Sequence, residues 1–508
     1  MQLCQRLEQI LENLRPAFSR EATYQWFILL AWGVVLNSQP SAITSYVNAL
    51  GLTESYYHQA LHWFESKAFN VKGLTLGWSK WVSQHENLYR IKEKRVYVGD
   101  GIKVGKEGRK MPGVKRLHQE SGNVAKPEWI RGHYFNALSV LVEAGKACFA
   151  LPLVLRLDDG IKSKVTAKEG KKGSKKEKTT LVTKMGELCT TYAEAGSYVI
   201  LDAYFACGAV LKSFRQNALH LITRVRCSTV AYAPFSSVPT LRGKGRPRLW
   251  GSSIKLESLF ALVEDFPTAK VWLYGQQVSV SYQCFEFHWD SPHQLVKFVL
   301  TQLPNGQRLI LLSTDLCLTG PEIIAAYGLR FKIEVTFRQL IHLLGGFAYR
   351  FWLKALPTLP TWPSNLILPD YPQTVQTQIL NKVEAFERFV NLHVIVLGLL
   401  QILSLELPQG IWANFPRWFR TLPSHGYPSE RIAQLAIQHQ APMIFPQSPP
   451  SLLLPKFLAA KLDPFPSPDR LIFGRIVITF SAIHKLPTVQ SNGSSIKSRR
   501  CCQLSKTK

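Results

Sequence analysis

Three acidic residues in different sequence settings could together hold divalent cations. Asp100 follows the apolar residues 96–99, and Asp202 follows the apolar residues 198–201, so both are expected at strand ends. Glu334 is expected on a helix. Magnesium prefers hard oxygen ligands, and carboxylates from separate elements can supply them. Two such ions about 4 Å apart can activate a hydroxyl group and stabilise a leaving oxygen, which is the chemistry of phosphodiester cleavage.

The residues before Glu334 form the most specific pattern in the chain. Tyr327, Arg330 and Glu334 are spaced i, i+3, i+7, so one continuous helix would place them within an arc of about 60°. An aromatic ring, a guanidinium and a carboxylate on one stripe suit a surface that faces phosphates. The alternative is a solvated face with an ordinary Arg330–Glu334 pair, which is worth only a few tenths of a kcal/mol.

The elements that must position these residues are predicted from apolar periodicity. Short apolar runs predict five strands in the first half of the chain, at residues 96–99, 135–144, 148–157, 198–201 and 219–225. The gap between Asp202 and Glu334 is too long for a plain connection. Three more apolar runs predict that a β-rich insertion, at about residues 228–316, fills it; they are residues 271–274, 278–288 and 308–313.

Helical patterns flank this central part, which we place at residues 93–350. Residues 1–92 are predicted to be a helical DNA-binding region, in which residues 41–64 form either a helix-turn-helix or a plain helical hairpin. Residues 351–490 are predicted to be helical. Within them the apolar residues 389–405 indicate a buried core helix, with a membrane span as the alternative. Residues 491–508 form a basic tail that is predicted to be disordered.

The composition indicates which kind of partner the protein binds and in which cellular compartment it acts. The chain has 61 Lys and Arg against 34 Asp and Glu, a net charge of +27, which indicates a polyanionic partner. A basic protein without such a partner is the alternative. The nine cysteines are scattered and odd in number, so a reducing, cytoplasmic compartment is expected. Neither a Gly-rich phosphate loop nor a G-x-S-x-G motif is present, so nothing supports NTP hydrolysis or serine-hydrolase chemistry.

Two groups of basic residues are candidate DNA contacts. One follows Asp100 in a Gly-containing loop and suits a phosphate backbone that runs past the carboxylates. A solvated loop is the competing interpretation. The other group lies in the predicted insertion, where arginines beside a tryptophan combine charge with a stacking surface. The candidates are Lys103, Lys106, Arg109 and Lys110 in the first group, and Arg246, Arg248 and Trp250 in the second.

These motifs together resemble one enzyme family. Gly-Asp-Gly around Asp100, Leu-Asp-Ala around Asp202 and Tyr-x-x-Arg-x-x-x-Glu ending at Glu334 resemble the DDE transposases of bacterial insertion sequences. The similarity is greatest to the class with a β-strand insertion and a Y-R-E-K signature, and it covers roughly residues 95–350. It implies an α/β, RNase H-like mixed sheet flanked by helices. It also implies that the three acids are the catalytic triad and bind two Mg²⁺ ions, for which Mn²⁺ would substitute.

The resemblance further implies the partners. Tyr327 and Arg330 would contact transposon-end phosphates, and the partners would be double-stranded DNA of the element ends and target. A homodimer is expected in the synaptic complex, with no membrane association, in a bacterial-type cytoplasm at the nucleoid. The open alternatives are an RNase H-like nuclease or resolvase without strand transfer, and an inactive DNA-binding protein derived from a transposase.

The match to the signature ends seven residues after the glutamate. The signature lysine falls on Ile341, while Arg338 lies one turn after Glu334 and could replace the lysine as a phosphate contact. Alternatively, the chain belongs to a neighbouring class that lacks this lysine, or is a decayed copy.

Overall fold

The structure is a computed structural model. It describes residues 2–119, 127–145, 147–162, 180–234, 250–262, 266–273, 275–289, 294–416, 426–444, 452–459, 461, 472–473 and 476–477. The predicted basic tail at residues 491–508 lies outside the described residues.

Five helices form the N-terminal part of the chain. The first carries an apolar stripe whose members, such as Leu3 and Leu7, are fully buried, and this helix ends before Pro16. The expected helical hairpin is present, because α3 and α4 are joined by a turn in which Gly51 has a φ of 68°. DNA reading by this hairpin stays a prediction. The helices are α1 (Gln2–Glu12), α2 (Glu21–Leu36), α3 (Ile43–Ala49), α4 (Tyr57–Trp63) and α5 (Val71–Val82).

The central sheet has the strand order of an RNase H-like fold. The order is β5–β4–β2–β7–β8, in which β5, β4 and β2 pair antiparallel with one another, and β7 and β8 run parallel to β2. The predicted fold class is confirmed. The strands are β1 (Arg90–Ile91), β2 (Lys94–Gly105), β3 (Lys115–His118), β4 (Trp129–Ala144), β5 (Ala147–Leu157), β6 (Ile161–Lys162), β7 (Tyr198–Leu201) and β8 (His220–Val225), with helices α6 (Leu181–Tyr192) and α7 (Gly208–Gln216) around β7.

The predicted β-rich insertion continues this sheet. Strand β14 pairs antiparallel with β8, and β13, β12 and β9 follow outward. Residues 294–302 were not predicted as a strand, although they contain the apolar run Phe298-Val299-Leu300, which is fully buried. The elements are β9 (Val230–Tyr232), β10 (Ser253–Lys255), α8 (Leu259–Leu262), β11 (Thr268–Leu273), β12 (Gln276–Trp289), β13 (Gln294–Gln302) and β14 (Arg308–Ser313).

Two helices follow the insertion, and a mostly helical region follows them. The elements are α9 (Gly320–Gly328), α10 (Lys332–His342), β15 (Leu366–Ile367), α11 (Gln373–Glu406), α12 (Pro408–Asn414), α13 (Glu430–Ile444), α14 (Leu453–Ala459), β16 (Ile472–Phe473) and β17 (Ile476–Val477). Helix α11 packs against β5 and against the N-terminal helices, so both ends of the chain contribute to one apolar core.

Helix α11 contains the apolar residues 389–405, and the prediction of a buried core helix is confirmed. Its most apolar stretch is long and apolar enough to cross a membrane by composition, but 89% of that stretch is buried inside the protein. The polar interruptions have partners. Asn391 accepts from the Leu155 amide at 3.0 Å and donates to the Leu155 carbonyl at 2.7 Å, which fixes α11 on the sheet.

Candidate active site

Asp100 and Asp202 lie side by side because their strands are parallel neighbours. The register of β2 and β7 pairs Gly99 with Leu201, so the next residue on each strand is an aspartate. Asp202 follows β7 directly, as predicted. It occupies the N-cap position of a 3-10 turn, but its carboxylate accepts no capping hydrogen bond and stays available.

Asp100 does not end its strand, which corrects the sequence prediction. It lies in the middle of β2, and the ladder to β4 continues through Gly101 to Gly105. The Asp-Gly pair resembles a turn, but the glycine has another reason. A Cβ atom at Gly101 would lie 2.0 Å from the Tyr134 hydroxyl oxygen, so only glycine admits this ring from β4. The strand therefore runs on past the carboxylate.

Glu334 reaches the same place from the helical layer. It lies in the first turn of α10, and the Thr336 hydroxyl anchors that helix by donating to the Ala150 carbonyl of β5 at 2.8 Å. The prediction of one continuous helix from Tyr327 to Glu334 is wrong. Helix α9 ends at Gly328 and α10 begins at Lys332, and the turn between them is held by i to i+3 hydrogen bonds.

This turn places Arg330 among all three carboxylates. Its Nη1 donates to Asp100 Oδ2 at 2.9 Å, and its Nη2 donates to Glu334 Oε1 at 2.7 Å. Its Nε lies 3.8 Å from Asp202 Oδ1. The three predicted catalytic acids therefore converge on one guanidinium group.

The four side chains of this site differ in their exposure to solvent. The side chains of Arg330 and Asp100 are each 20% exposed, whereas those of Asp202 and Glu334 are 34% and 55% exposed. Burial raises the pKa of Asp100 to about 6, although the positive charge of Arg330 opposes this shift. Burial acts to lower the pKa of Arg330, but the neighbouring carboxylates, Asp100 first, outweigh it and raise that pKa. The guanidinium thus stays charged at the centre of the acids.

The donor set fits magnesium by its chemistry. Three carboxylates from two strands and a helix offer hard oxygen atoms around a point that already attracts a cation, and two of them are open to solvent. Within the described residues, no group of three His, Cys, Asp or Glu side chains is close enough to hold a single ion. As arranged here, the three carboxylates converge on the Arg330 guanidinium rather than around a single ion site.

The other residues of the predicted signature have different environments. Tyr327 is half-buried in the last turn of α9, where burial raises its pKa and Arg330 opposes that shift. Arg338 and Ile341 are both exposed on α10, four and seven residues after Glu334. They continue the face of α10 on which Glu334 lies, so a phosphate contact by Arg338 remains geometrically open.

The basic residues predicted to follow Asp100 have different environments in the structure. Lys103 is exposed, but strand alternation turns it to the face opposite Asp100. Lys106 is not free for phosphate, because its ammonium donates to the Phe347 and Tyr349 carbonyls and lies 3.6 Å from the Tyr349 ring centroid. Arg109 is exposed and Lys110 is half-buried beyond the end of β2.

In the insertion, Arg246 and Arg248 lie outside the described residues. Trp250 is half-buried, with its ring centroid 4.8 Å from that of His288.

Two aromatic residues beside the carboxylates were missed from the sequence. Tyr134 covers Gly101 next to Asp100, and Tyr204 is an exposed aromatic residue two positions after Asp202. The position of Tyr204 could have been noticed as an aromatic residue following an acidic strand end. No local pattern marks Tyr134, because its proximity to Asp100 depends on the pairing of β2 with β4.

A mixed sheet of RNase H-like order, with acidic residues on its two central strands and a third on the adjoining helix, defines a nuclease-like architecture. A protein-family model described as DDE superfamily endonuclease matches residues 13–267, about half of the chain. The match includes Asp100 and Asp202 and ends before Glu334. The chain therefore belongs to the DDE superfamily endonuclease family, which confirms the resemblance to DDE enzymes.

The remaining comparisons add little. No curated protein matches the chain. Among solved structures, the piggyBac transposase in a synaptic complex with hairpin DNA, determined by cryo-EM, is 12% identical, with 92% of this chain and 87% of that chain covered. Its TM-score is 0.34, which together with the low identity is too small to assign a fold.

Proposed function

We propose that this protein is a DNA transposase that binds the ends of its element, cleaves them by metal-dependent hydrolysis and joins the freed 3′-OH to target DNA. The observation that carries the proposal is the convergence of Asp100, Asp202 and Glu334 on Arg330. The family membership supports the cleavage step, and strand transfer is proposed in addition to it.

The residues have distinct roles in this proposal. Asp100, Asp202 and Glu334 would hold two Mg²⁺ ions, or Mn²⁺ in their place, and such ions supply an activated hydroxyl group and charge stabilisation for in-line displacement. In the absence of DNA, the single positive charge of Arg330 offsets part of the negative charge of the three acids. When a phosphate enters, the same guanidinium can turn from Asp100 to the phosphate oxygens, for which its fork of N–H donors is well suited. Tyr327 interacts with the same guanidinium and would contact the phosphates beside it.

The proposed partner is double-stranded DNA. The net charge of +27 supports a polyanionic partner. Arg338 is an exposed cation on α10, the helix of Glu334, and Arg109 is an exposed cation in the segment that follows β2, the strand of Asp100. We further propose a homodimer that brings two element ends together, and action in the bacterial cytoplasm at the nucleoid. The seven cysteines among the described residues are all free, which agrees with a reducing compartment.

The rival function is an RNase H-like nuclease or resolvase that uses the same carboxylates without strand transfer. Purified full-length protein, Mg²⁺ and labelled DNA taken from the regions that flank its coding sequence distinguish the two. The transposase proposal predicts cleavage at terminal inverted repeats, followed by covalent joining of the labelled 3′-OH end to a second DNA. Cleavage without any joined product would support the nuclease instead. An absence of both activities, with DNA binding retained, would indicate an inactive DNA-binding derivative.

A further inference from the structure

A groove of about 1270 Å³ opens beyond the end of β2, away from the carboxylates. One wall is the segment at residues 105–111, which follows β2. The other wall is the segment at residues 348–362, which follows α10. A strand rises about 3.3 Å per residue, so Gly105 lies roughly 17 Å along β2 from Asp100. The groove is therefore separate from the carboxylate site but lies on the same strand.

The two walls are held together by backbone hydrogen bonds. The Leu353 amide donates to the Lys110 carbonyl at 2.9 Å, and the Leu359 amide donates to the Arg109 carbonyl at 2.8 Å. A small apolar cluster packs beneath the second wall. It contains Leu353, Leu356, Leu366, Leu368 and Ile379. The groove is thus formed before any ligand enters, which lowers the entropic cost of binding.

Indole rings are displayed at the groove. Trp352 and Trp362 are 59% and 50% exposed, although most aromatic side chains of this size are largely buried in proteins. The Arg116 guanidinium carbon lies 3.9 Å from the Trp129 ring centroid and 5.4 Å from that of Trp362, so this cation contacts both indole rings. Exposed aromatic surface of this kind marks an interaction site.

The charge of the lining is strongly positive. Glu107 is the one acidic residue among the lining residues, and five are basic. They are Lys106, Arg109, Lys110, Arg131 and Arg350. Lys106 and Arg131 donate to backbone carbonyls. Among the described residues, the side chains of Arg109 and Arg350 donate to no protein group, so both remain available for an anionic ligand.

We propose that this groove binds a segment of single-stranded DNA, with bases stacked on Trp352 and Trp362 and phosphates on Arg109 and Arg350. The inference rests on the proposed DNA-cleaving function and adds a second DNA site to it. Duplex DNA would use only the cations, because its base faces are already stacked on one another. Exposed indoles beside arginines are the combination that binds unpaired bases without regard to sequence.

Fluorescence anisotropy on the full chain in EDTA tests this proposal. The probe is a labelled oligothymidylate long enough to fill one site, about 4–16 nucleotides, and a duplex of equal length is the comparison. Replacing either Trp352 or Trp362 with Ala should raise the Kd for the single strand by about fivefold or more, because base stacking contributes that much per ring. Duplex affinity should stay unchanged. Replacing Arg109 or Arg350 with Ala should weaken binding of both DNAs.

Trp272→Ala is the matched control, because Trp272 is an equally exposed tryptophan on β11, outside the groove. It should leave both affinities unchanged. The proposal is overturned if the two groove variants bind the single strand as tightly as the wild type, or lose duplex binding to the same extent. Mg²⁺-dependent cleavage of duplex DNA by the wild type is measured separately. Its absence would contradict the proposed function, whereas the ratio of the two affinities reports on the groove alone.

Discussion

Arg330 and Asp100 form an ion pair in which Nη1 donates to Oδ2 at 2.9 Å, and both side chains are four-fifths buried. The pair joins the turn after α9 to the middle of β2, so it connects the helical layer to the sheet at the carboxylates. It also places a fixed positive charge where the oxygen atoms of three acids point. A divalent cation and the guanidinium therefore compete for the same ligands.

This competition predicts the effect of removing the guanidinium. In the absence of DNA, Arg330→Ala should strengthen Mn²⁺ binding by about tenfold or more, since unit charges about 4 Å apart interact by ~4 kcal/mol near a protein surface. The same variant should cleave DNA more slowly, because a phosphate contact is lost. Isothermal titration calorimetry measures the first effect. Arg338→Ala, on the exposed face of α10, is the control and should leave Mn²⁺ affinity unchanged.

The exposed position of Ile341 predicts that a lysine there is tolerated. Ile341 lies two helical turns after Glu334 and is exposed, so Ile341→Lys should fold normally. If this face of α10 lies on DNA, the new cation should increase duplex affinity and steepen the salt dependence by about one phosphate contact. Arg338→Ala should reduce the same slope. Equal slopes in all three proteins would show that this face does not contact DNA.

The close approach of Tyr134 to β2 predicts that Gly101 is not replaceable. A Cβ atom there would collide with the Tyr134 ring, whereas one at Gly105, on the same strand, meets nothing within 4 Å. Gly101→Ala should therefore lower the free energy of unfolding by about 1–3 kcal/mol, as overpacking does, while Gly105→Ala should not destabilise the fold. Thermal denaturation compares the two. Equal melting temperatures would mean that the tyrosine moves aside at little cost.

Two buried imidazoles predict a loss of stability in acid. Burial lowers the pKa of His133 to about 3 and that of His393 to about 4. Both pKa values are depressed in the folded state, so the stability that these groups contribute is complete above their unfolded pKa of about 6.5. It is lost as the pH falls from there through the folded values, by up to ~1.4 kcal/mol per pH unit for each group.

Urea unfolding at several pH values between about 6.5 and 4 measures how steeply the free energy of unfolding falls as the pH falls. His133→Phe removes one titrating group and leaves the Pro112 carbonyl and the Tyr349 hydroxyl without their partner. It should be less stable than the wild type at neutral pH but should show a shallower loss in acid. A variant with the wild-type slope would mean that His133 does not titrate on unfolding.

Much of the sheet could be predicted from the sequence, because its strands are short apolar runs. All five central strands were located, and Asp202 was placed correctly after β7. Asp100 was misplaced because the reason for Gly101 is Tyr134, a residue on another strand. Local patterns cannot reveal a glycine that is required by a distant ring.

Tertiary contacts also explain the other differences between the sequence predictions and the structure. The break between α9 and α10 carries no proline, and Gly328 at the end of α9 is a weak local signal, yet this break is what directs Arg330 to the carboxylates. The groove walls meet through backbone hydrogen bonds between residues 109–110 and 353–359, which are far apart in sequence. The sequence therefore singled out acids and an arginine that the structure brings together, but tertiary contacts determine how they are arranged.

The central claim is that Asp100, Asp202 and Glu334 act together as the ligands of the catalytic metal ions. Its most direct test is the rate of Mg²⁺-dependent DNA cleavage by Asp100→Asn, Asp202→Asn and Glu334→Gln, with DNA affinity measured in parallel. Each should lower the rate by more than the ~10–100-fold typical of residues that only support ligands, with binding largely retained. The exposed Glu257→Gln is the control. Wild-type cleavage by any of the three variants would contradict the claim.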